Sequence, residues 1–354
     1  MADYSKVTIS ASEKISLIGN LATMLSAGIP ILEVVNSLLE DAKSGQKEVL
    51  TALRDDITQG RQIHTSFAKF PRVFDKVTVN VILASEKAGT LDVTLKDLKD
   101  SIRKQIEFND KVKSAFLYPA FIGITFVGIL LLNLFFVIPK VAVVFKNLKV
   151  SLPLPTQILL FLSDTLTKNT LLLIVIMAIL IFLTIFIFRQ KRSFFLGVFF
   201  SLPLISNLVK LIDLTRFSRS LHLLLYSGLP ITEALDLTID VVVARKTAKI
   251  IKNCREMVTS GKKLSEGLRT GKGYIPTIMI KLIEAGERTG TLDRSLQDIS
   301  EYFDYEVTNT LKTLTTLIEP VMLVLVGVVV GGMMLSIIAP IYGLISQIGS
   351  VGLK

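Results

Sequence analysis

The chain has 354 residues, half of them apolar, a formal net charge of +10, two histidines, one cysteine and no tryptophan, and its mean hydropathy is +0.57. A single cysteine, Cys254, excludes an intrachain disulfide and a paired-cysteine zinc or redox site, and the hydropathy points away from an ordinary soluble enzyme. Most of the basic excess sits in the second polar block. It shows no aromatic-interleaved patch or recognition-helix pattern, so anionic lipid or an acidic protein partner is expected and nucleic acid is not.

The N-terminal stretch MADYSKVTISASEKIS is polar, mixed in charge and without an apolar core, so it does not read as a cleavable signal, and the first block is expected to remain in the cytoplasm. Over residues 14–39, Leu17, Leu21 and Leu25 recur at helical spacing, with Ile18 and Met24 widening the stripe. The stripe stops at Gly28-Ile29-Pro30. Glycine suits the left-handed position after a helix and proline the first turn of the next, where Glu33 complements the helix dipole. Gln59-Gly60 is a second break, followed by a short Ile63…Phe67 segment and a turn at Phe70-Pro71. A helix from Val77 to Lys87 ends at Ala88-Gly89, and Thr90 is positioned to cap the helix that opens at Leu91-Asp92 and runs to about Lys113. No stretch alternates with period two, so the block is expected to be a helical bundle.

Three apolar stretches follow: FLYPAFIGITFVGILLLNLFFVIP (116–139), LLLIVIMAILIFLTIFIF (171–188) and VMLVLVGVVVGGMMLSIIA (321–339). None carries an Asp, Glu, Lys, Arg or His, and each can cross a hydrocarbon layer of about 30 Å at about 1.5 Å per residue. Residues 193–208 are also apolar, but Pro203 and the flanking Lys191, Arg192 and Lys210 make them an interfacial or domain-entry segment rather than a span. Gly327 and Gly331 stand four apart in the third span, a spacing that permits close helix approach and is also ordinary for membrane helices.

The second polar block copies the first. Gly228-Leu229-Pro230 and Glu233 match Gly28-Ile29-Pro30 and Glu33 at an offset of 200. Gly261, Leu264 and Leu268 match Gly60, Ile63 and Phe67, and Glu287-Arg-Thr-Gly290-Thr-Leu-Asp293 matches Glu86-Lys-Ala-Gly89-Thr-Leu-Asp92, both at an offset of 201. Pro119 and Pro139 around the first span match Pro320 and Pro340 around the third. One single-residue insertion therefore aligns a whole bundle and its span with a second copy. The expected architecture is all-α: bundle 1 (1–116), a first span (117–139), an extracytoplasmic linker (140–168), a second span (169–188), bundle 2 (189–318), a third span (319–340) and a short extracytoplasmic tail (341–354). Three crossings put both bundles on one face. Lys111, Lys113, Arg189, Lys191 and Arg192 favour the cytoplasm for that face, against Lys140, Lys146, Lys149 and Lys168 on the other.

Chemistry-bearing motifs are few. No phosphate loop, nucleophile elbow, HExxH or dinucleotide fingerprint is present, and His64 and His222 stand apart from any second ligand in the sequence, so no catalytic residue, metal or cofactor is expected. Uncharged spans argue against the leading alternative, a small duplicated transporter or channel subunit. In Glu-x-x-Gly-Thr-Leu-Asp, helix capping and dipole compensation account for every residue except Glu86 and Glu287, which with Asp92 and Asp293 offer oxygen ligands to a cation or salt bridges to a partner. Arg245, Lys246, Lys249, Lys252 and Arg255 follow helical spacing and read as a solvated face, with the anionic inner leaflet as its candidate partner.

Taken together, the duplicated Gly-Ile/Leu-Pro-x-x-Glu and Glu-x-x-Gly-Thr-Leu-Asp motifs resemble the type II secretion F family, the inner-membrane platform proteins of type IV pili, type II secretion and competence pseudopili. The stretch Phe145 to Thr156, with Pro153 and Pro155, looks like that family's linker before its second span, and Ile318-Glu319-Pro320 looks like the opening of its third; the likeness spans about residues 13–345. The resemblance implies a non-enzymatic, multi-pass protein of the inner membrane with its N-terminus in the cytoplasm. It implies a scaffold that binds a cytoplasmic assembly ATPase, pilins or pseudopilins, other inner-membrane assembly proteins and membrane lipid, that forms a homo-oligomer, and that couples the motor to pilin extraction.

Overall fold

The structure is a computed structural model that describes residues 4–140 and 203–351, together with 143, 157 and 161. The second span (171–188) and the linker prolines Pro153 and Pro155 lie outside the described residues. A short 3-10 turn, Tyr4–Lys6, precedes the first bundle of α1 (Ala11–Ser26), α2 (Ile31–Asp41), α3 (Ser44–Thr58), α4 (Ile63–Ala68), α5 (Lys76–Ala88) and α6 (Leu91–Ala115). An apolar helix α7 (Leu117–Leu132) follows, continued by a π-helical turn over Asn133–Val137. The second bundle repeats the order: α8 (Pro203–Tyr226), α9 (Ile231–Ile239), α10 (Arg245–Thr259), α11 (Leu264–Arg269), α12 (Thr277–Thr289) and α13 (Leu292–Val351). No strand occurs among the described residues.

Local sequence explains the boundaries. Ser10 and Glu13 cap α1 reciprocally, the hydroxyl accepting the Glu13 N–H at 3.2 Å and the carboxylate accepting the Ser10 N–H at 2.7 Å. After α1 the chain reverses through Gly28 at φ +82°, and after α8 through Gly228 at φ +84°. Pro30 and Pro230 take the position just ahead of α2 and α9, one residue earlier than the first turn expected for them. Helix α8 starts at Pro203, so residues 203–208 of the apolar stretch belong to a 24-residue helix. Pro320 falls inside α13, which runs through it.

The chain forms two compact units, one of residues 1–112 with 206–310 and the other of residues 113–205 with 311–354. The first unit holds both repeats. Its core joins Leu17, Leu21, Val35, Leu50, Phe67 and Ile82 from the first to Phe217, Leu221, Leu235, Ile251, Leu268 and Ile283 from the second, all at most 2 % exposed. These are equivalent positions at offsets of 200 and 201, so both copies solve the same packing problem, each buried side chain contributing roughly 1.5–3 kcal/mol. In the second unit, α7 and the C-terminal part of α13 are apolar on their outer surfaces: Phe121, Ile124 and Leu323 are 70 %, 73 % and 68 % exposed. Two described helical stretches, Leu91–Lys140 and Leu292–Leu335, are long and apolar enough to cross a membrane. In the apolar part of the first, two polar side chains bond back to their own helix, Asn133 donating its N–H to the Ile129 carbonyl at 3.0 Å and Thr125 its hydroxyl to the Phe121 carbonyl at 2.9 Å, as a low-dielectric surround requires.

Candidate functional site: the paired corners and the seam between repeats

The duplicated Glu-x-x-Gly-Thr-Leu-Asp motif forms the corner between α5 and α6 and again between α12 and α13. Gly89 (φ +70°) and Gly290 (φ +73°) turn left-handed, and the next N–H reaches back: Thr90 to the Ser85 carbonyl at 3.0 Å, Thr291 to that of Gly286 at 2.9 Å. The Thr90 hydroxyl expected to cap α6 makes no hydrogen bond among the described residues, because the glycine and the backbone close the turn by themselves. Asp92 and Asp293 lie in the first turns of the following helices, where a carboxylate complements the dipole.

Glu86 and Glu287 have a job that spacing does not reveal. The Glu86 carboxylate accepts the backbone N–H groups of Ile63 and of His64 (3.0 Å) at the start of α4, and one of its oxygens lies 2.7 Å from His64 Nδ1. In the second repeat Glu287 accepts the N–H of Leu264 and of Ser265, and the Ser265 hydroxyl. Each glutamate thus caps a six-residue helix from a neighbouring one, and Ser265 stands where the first repeat has His64. The cation reading of these carboxylates therefore meets oxygens already engaged by N–H donors. Among the described residues no cluster of three or more His, Cys, Asp or Glu is arranged to hold a metal ion.

Two further carboxylates are buried. Asp56, 2 % exposed, accepts from the Ser66 hydroxyl at 2.6 Å, from Arg61 at 3.0 Å and from Lys69. Burial opposes its ionisation, but Lys69 and Ser66 outweigh burial and hold its pKa below the usual carboxylate value. Asp213 of α8, fully buried, accepts the N–H groups of Val243 and Ala244 at 2.8 Å each just ahead of α10. There burial prevails over those bonds and raises the pKa. The Cys254 thiol, also buried, is pushed up to about 12 by desolvation, which leaves it inert.

Charged side chains line the seam where the repeats meet. Lys104 pairs with Glu301 at 3.1 Å, Lys111 with Asp304 at 3.3 Å and Lys76 with Asp240 at 2.6 Å. Arg219, its side chain 10 % exposed, lies 5.5 Å from the Phe108 ring centre and 3.5 Å from Asp304, while Arg216 donates to Asn109 at 3.2 Å. A cavity of about 350 Å³ opens here, lined in part by Asp97, Arg103, Lys104, His222, Tyr226 and Glu301. Burial and the neighbouring Asp100 raise the pKa of Asp97. His222 donates through Nδ1 to the Asp293 carbonyl at 2.8 Å, so the two histidines serve different packing tasks in the two copies. Signs and partners alternate along this seam as in a structural contact.

Of the remaining motif residues, Glu33 and Glu233 are exposed in the first turns of α2 and α9. Pro119 lies in α7, and Glu319 and Pro320 are exposed on α13. No feature brings these groups into one pocket; the motif residues hold corners, and the corners shape the bundle surfaces.

Comparison with known proteins gives the same division of the chain. The family described as Type II secretion system (T2SS), protein F matches twice, at residues 17–139 and 217–340, reproducing the offsets of 200 at the start and 201 at the end. A type IV pilus assembly protein PilC of Thermus thermophilus is 30 % identical over 332 residues, covering 93 % of this chain and 81 % of its own length. That of Myxococcus xanthus is 30 % identical over 330 residues, covering 92 % and 79 %. A type II secretion system protein F of Pseudomonas aeruginosa is 28 % identical over 347 residues, covering 96 % and 85 %.

Proposed function

The chain belongs to the type II secretion system protein F family, and from that premise we propose that it is the inner-membrane platform of a type IV pilus or type II secretion machine, coupling a cytoplasmic assembly ATPase to the polymerisation of pilins or pseudopilins. A role in pilus or secretion machinery follows from the relatives, which are named for it. The observation that carries the rest is the duplication. A six-helix bundle that leads into an apolar helix occurs twice, and two such copies share one face of a membrane only if an odd number of crossings separates them. The uncharged stretch 171–188 supplies the return crossing in this reading, giving three spans with both bundles and the N-terminus in the cytoplasm.

On this reading the bundles meet the motor and the spans meet lipid, pilins and the other membrane components, with the protein working as a homo-oligomer and a scaffold without an active site of its own. The paired corners suit such a role: they are closed by internal hydrogen bonds, so load applied to one helix passes to its neighbour. Deleting the gene is expected to abolish surface filaments or substrate export, restored by the intact gene, while the assembly ATPase co-purifies with the full chain from detergent extracts. Normal piliation and export in the deletion strain would overturn the reading.

A further inference from the structure

The two repeats differ in charge at the start of their third helix. In the first repeat the N-terminal arm closes it. A β-carbon on Gly45, the second residue of α3, would stand 2.4 Å from the Thr8 carbonyl oxygen, and Tyr4 rests its ring on Phe70 with centroids 5.0 Å apart. In the second repeat Lys246 stands in place of Gly45, Gly271 in place of Phe70, Lys210 in place of Ser10 and Tyr274 in place of Val73. The ammonium groups of Lys210 and Lys246 lie 5.9 Å and 4.5 Å from the centre of the Tyr274 ring, and the Tyr274 hydroxyl shares a hydrogen bond of 2.9 Å with that of Thr247.

This corner is electrostatically unbalanced. Among the described residues neither ammonium forms an ion pair, and each repels the other across one ring. Burial, then Lys246, lowers the pKa of Lys210. Lys246 is also the second residue of α10, where the positive end of a 15-residue helix disfavours a cation. Asp213, the buried carboxylate at this place, accepts the N–H groups of Val243 and Ala244 and also acts on Thr247 and Tyr274, so it offsets part of this charge from beneath. Two ammonium groups and a helix end therefore converge with one buried carboxylate to offset them, and an anion at the exposed Lys246 side relieves the positive potential that remains.

What supplies the anion follows from the chain around the site. In the sequence Lys210 comes directly after the apolar stretch 193–208. Beyond Lys246, Lys249 and Lys252 continue an exposed basic face along α10. Lysines set around an aromatic ring next to an apolar segment suit the interfacial zone of a bilayer. We propose that Lys210, Lys246 and Tyr274 form a site for the phosphate of an anionic phospholipid headgroup, tethering the second repeat, and not the first, to the membrane surface.

The test uses the full chain in detergent, offered phosphatidylglycerol, phosphatidylcholine or inorganic phosphate, with bound lipid counted by native mass spectrometry. At about five-fold per lysine, the double variant Lys210→Gln/Lys246→Gln is expected to lose roughly 25-fold in phosphatidylglycerol retention, with phosphatidylcholine unchanged. Lys210→Arg/Lys246→Arg should stay within about two-fold of wild type, and so should Lys262→Gln/Lys263→Gln, which removes the same charge from another exposed part of the second repeat. Should the double variant melt early, Lys246→Gln, at an exposed position, carries the test alone with a loss of about five-fold. Equal phosphatidylglycerol retention by the glutamine variants and wild type overturns the site, as does an equal loss in Lys262→Gln/Lys263→Gln. Displacement of the lipid by millimolar inorganic phosphate overturns the lipid as its occupant. Retention of the chain in carbonate-washed membranes measures membrane insertion separately.

Discussion

Asp56 shows how far a single buried charge can set the behaviour of one repeat. Its carboxylate is 3 % exposed and meets Lys69, Arg61 and Ser66, whereas the equivalent position in the second repeat is Met257. Because its pKa is lower folded than unfolded, its contribution is complete above the unfolded value of about 4 and is lost as pH falls through the folded one. Asp56→Asn is therefore expected to cost about 2–4 kcal/mol at pH 7 and to flatten the acid limb of the stability curve, measured by urea denaturation at pH 3 to 7. An unchanged acid limb would show that the group does not titrate with unfolding. Asp213 has the opposite sign: with its pKa raised, its contribution is larger at low pH and fades as pH rises through the folded value. Neither role was legible in the sequence, since Asp56 reads as one more polar residue beside a Gln59-Gly60 break. Gly28 and Gly228 were legible, because a positive φ between two apolar helices leaves a sequence little choice of residue.

Among the elements, α4 and α11 depend most on their neighbours. A helix of six residues cannot hold itself in water, and its leading N–H groups need acceptors. The residues that precede them do not help: neither Gln62 ahead of α4 nor Lys263 ahead of α11 supplies a side-chain cap. Glu86 and Glu287, carried on α5 and α12, do so instead. Glu86→Ala and Glu287→Ala are each expected to destabilise the protein by about 1.5–3 kcal/mol, with faster amide exchange confined at first to residues 63–68 or 264–269. Exchange unchanged in those segments would remove the capping role. Helices α1, α2, α5 and α6 were readable from periodicity and their glycine breaks, and the glutamates stood out only as residues that capping of the next helix left over. Their targets are backbone groups more than 20 residues away in the chain, which no side-chain pattern marks. Helix α3 carries no comparable signal: charge and a helix-interior Asp56 interrupt its stripe, and Val49, Leu50 and Leu53 find their place only through packing.

At the scale of the whole molecule, the duplication was visible as two offsets, yet the way the copies join was not. The pairs at the seam, such as Lys104 with Glu301, link residues nearly 200 apart and interrupt the symmetry between the repeats. Arg219 makes the asymmetry plain. The first repeat has Gly19 at that position, where a β-carbon would stand 2.9 Å from the Lys99 side chain. Exposure separates the seam pairs by worth. Lys104 and Glu301 are 50 % and 56 % exposed, so their pairing contributes at most about 1 kcal/mol. Arg219 lies against Phe108 with one terminal nitrogen buried and unpartnered, and Asp304 is its nearest counter-charge. Removing Asp304 leaves a desolvated guanidinium with only the field of Glu301 to offset it. Asp304→Asn is thus expected to cost about 2–3 kcal/mol, against less than about 1 kcal/mol for Lys104→Ala. Because both repeats belong to one compact unit, the loss should lower a single transition of the full chain in detergent. Two transitions, with only one displaced, would mean that the repeats unfold separately and that the seam adds no cooperativity. Equal effects of the two substitutions would mean that Arg219 draws its stability from Phe108 and not from charge.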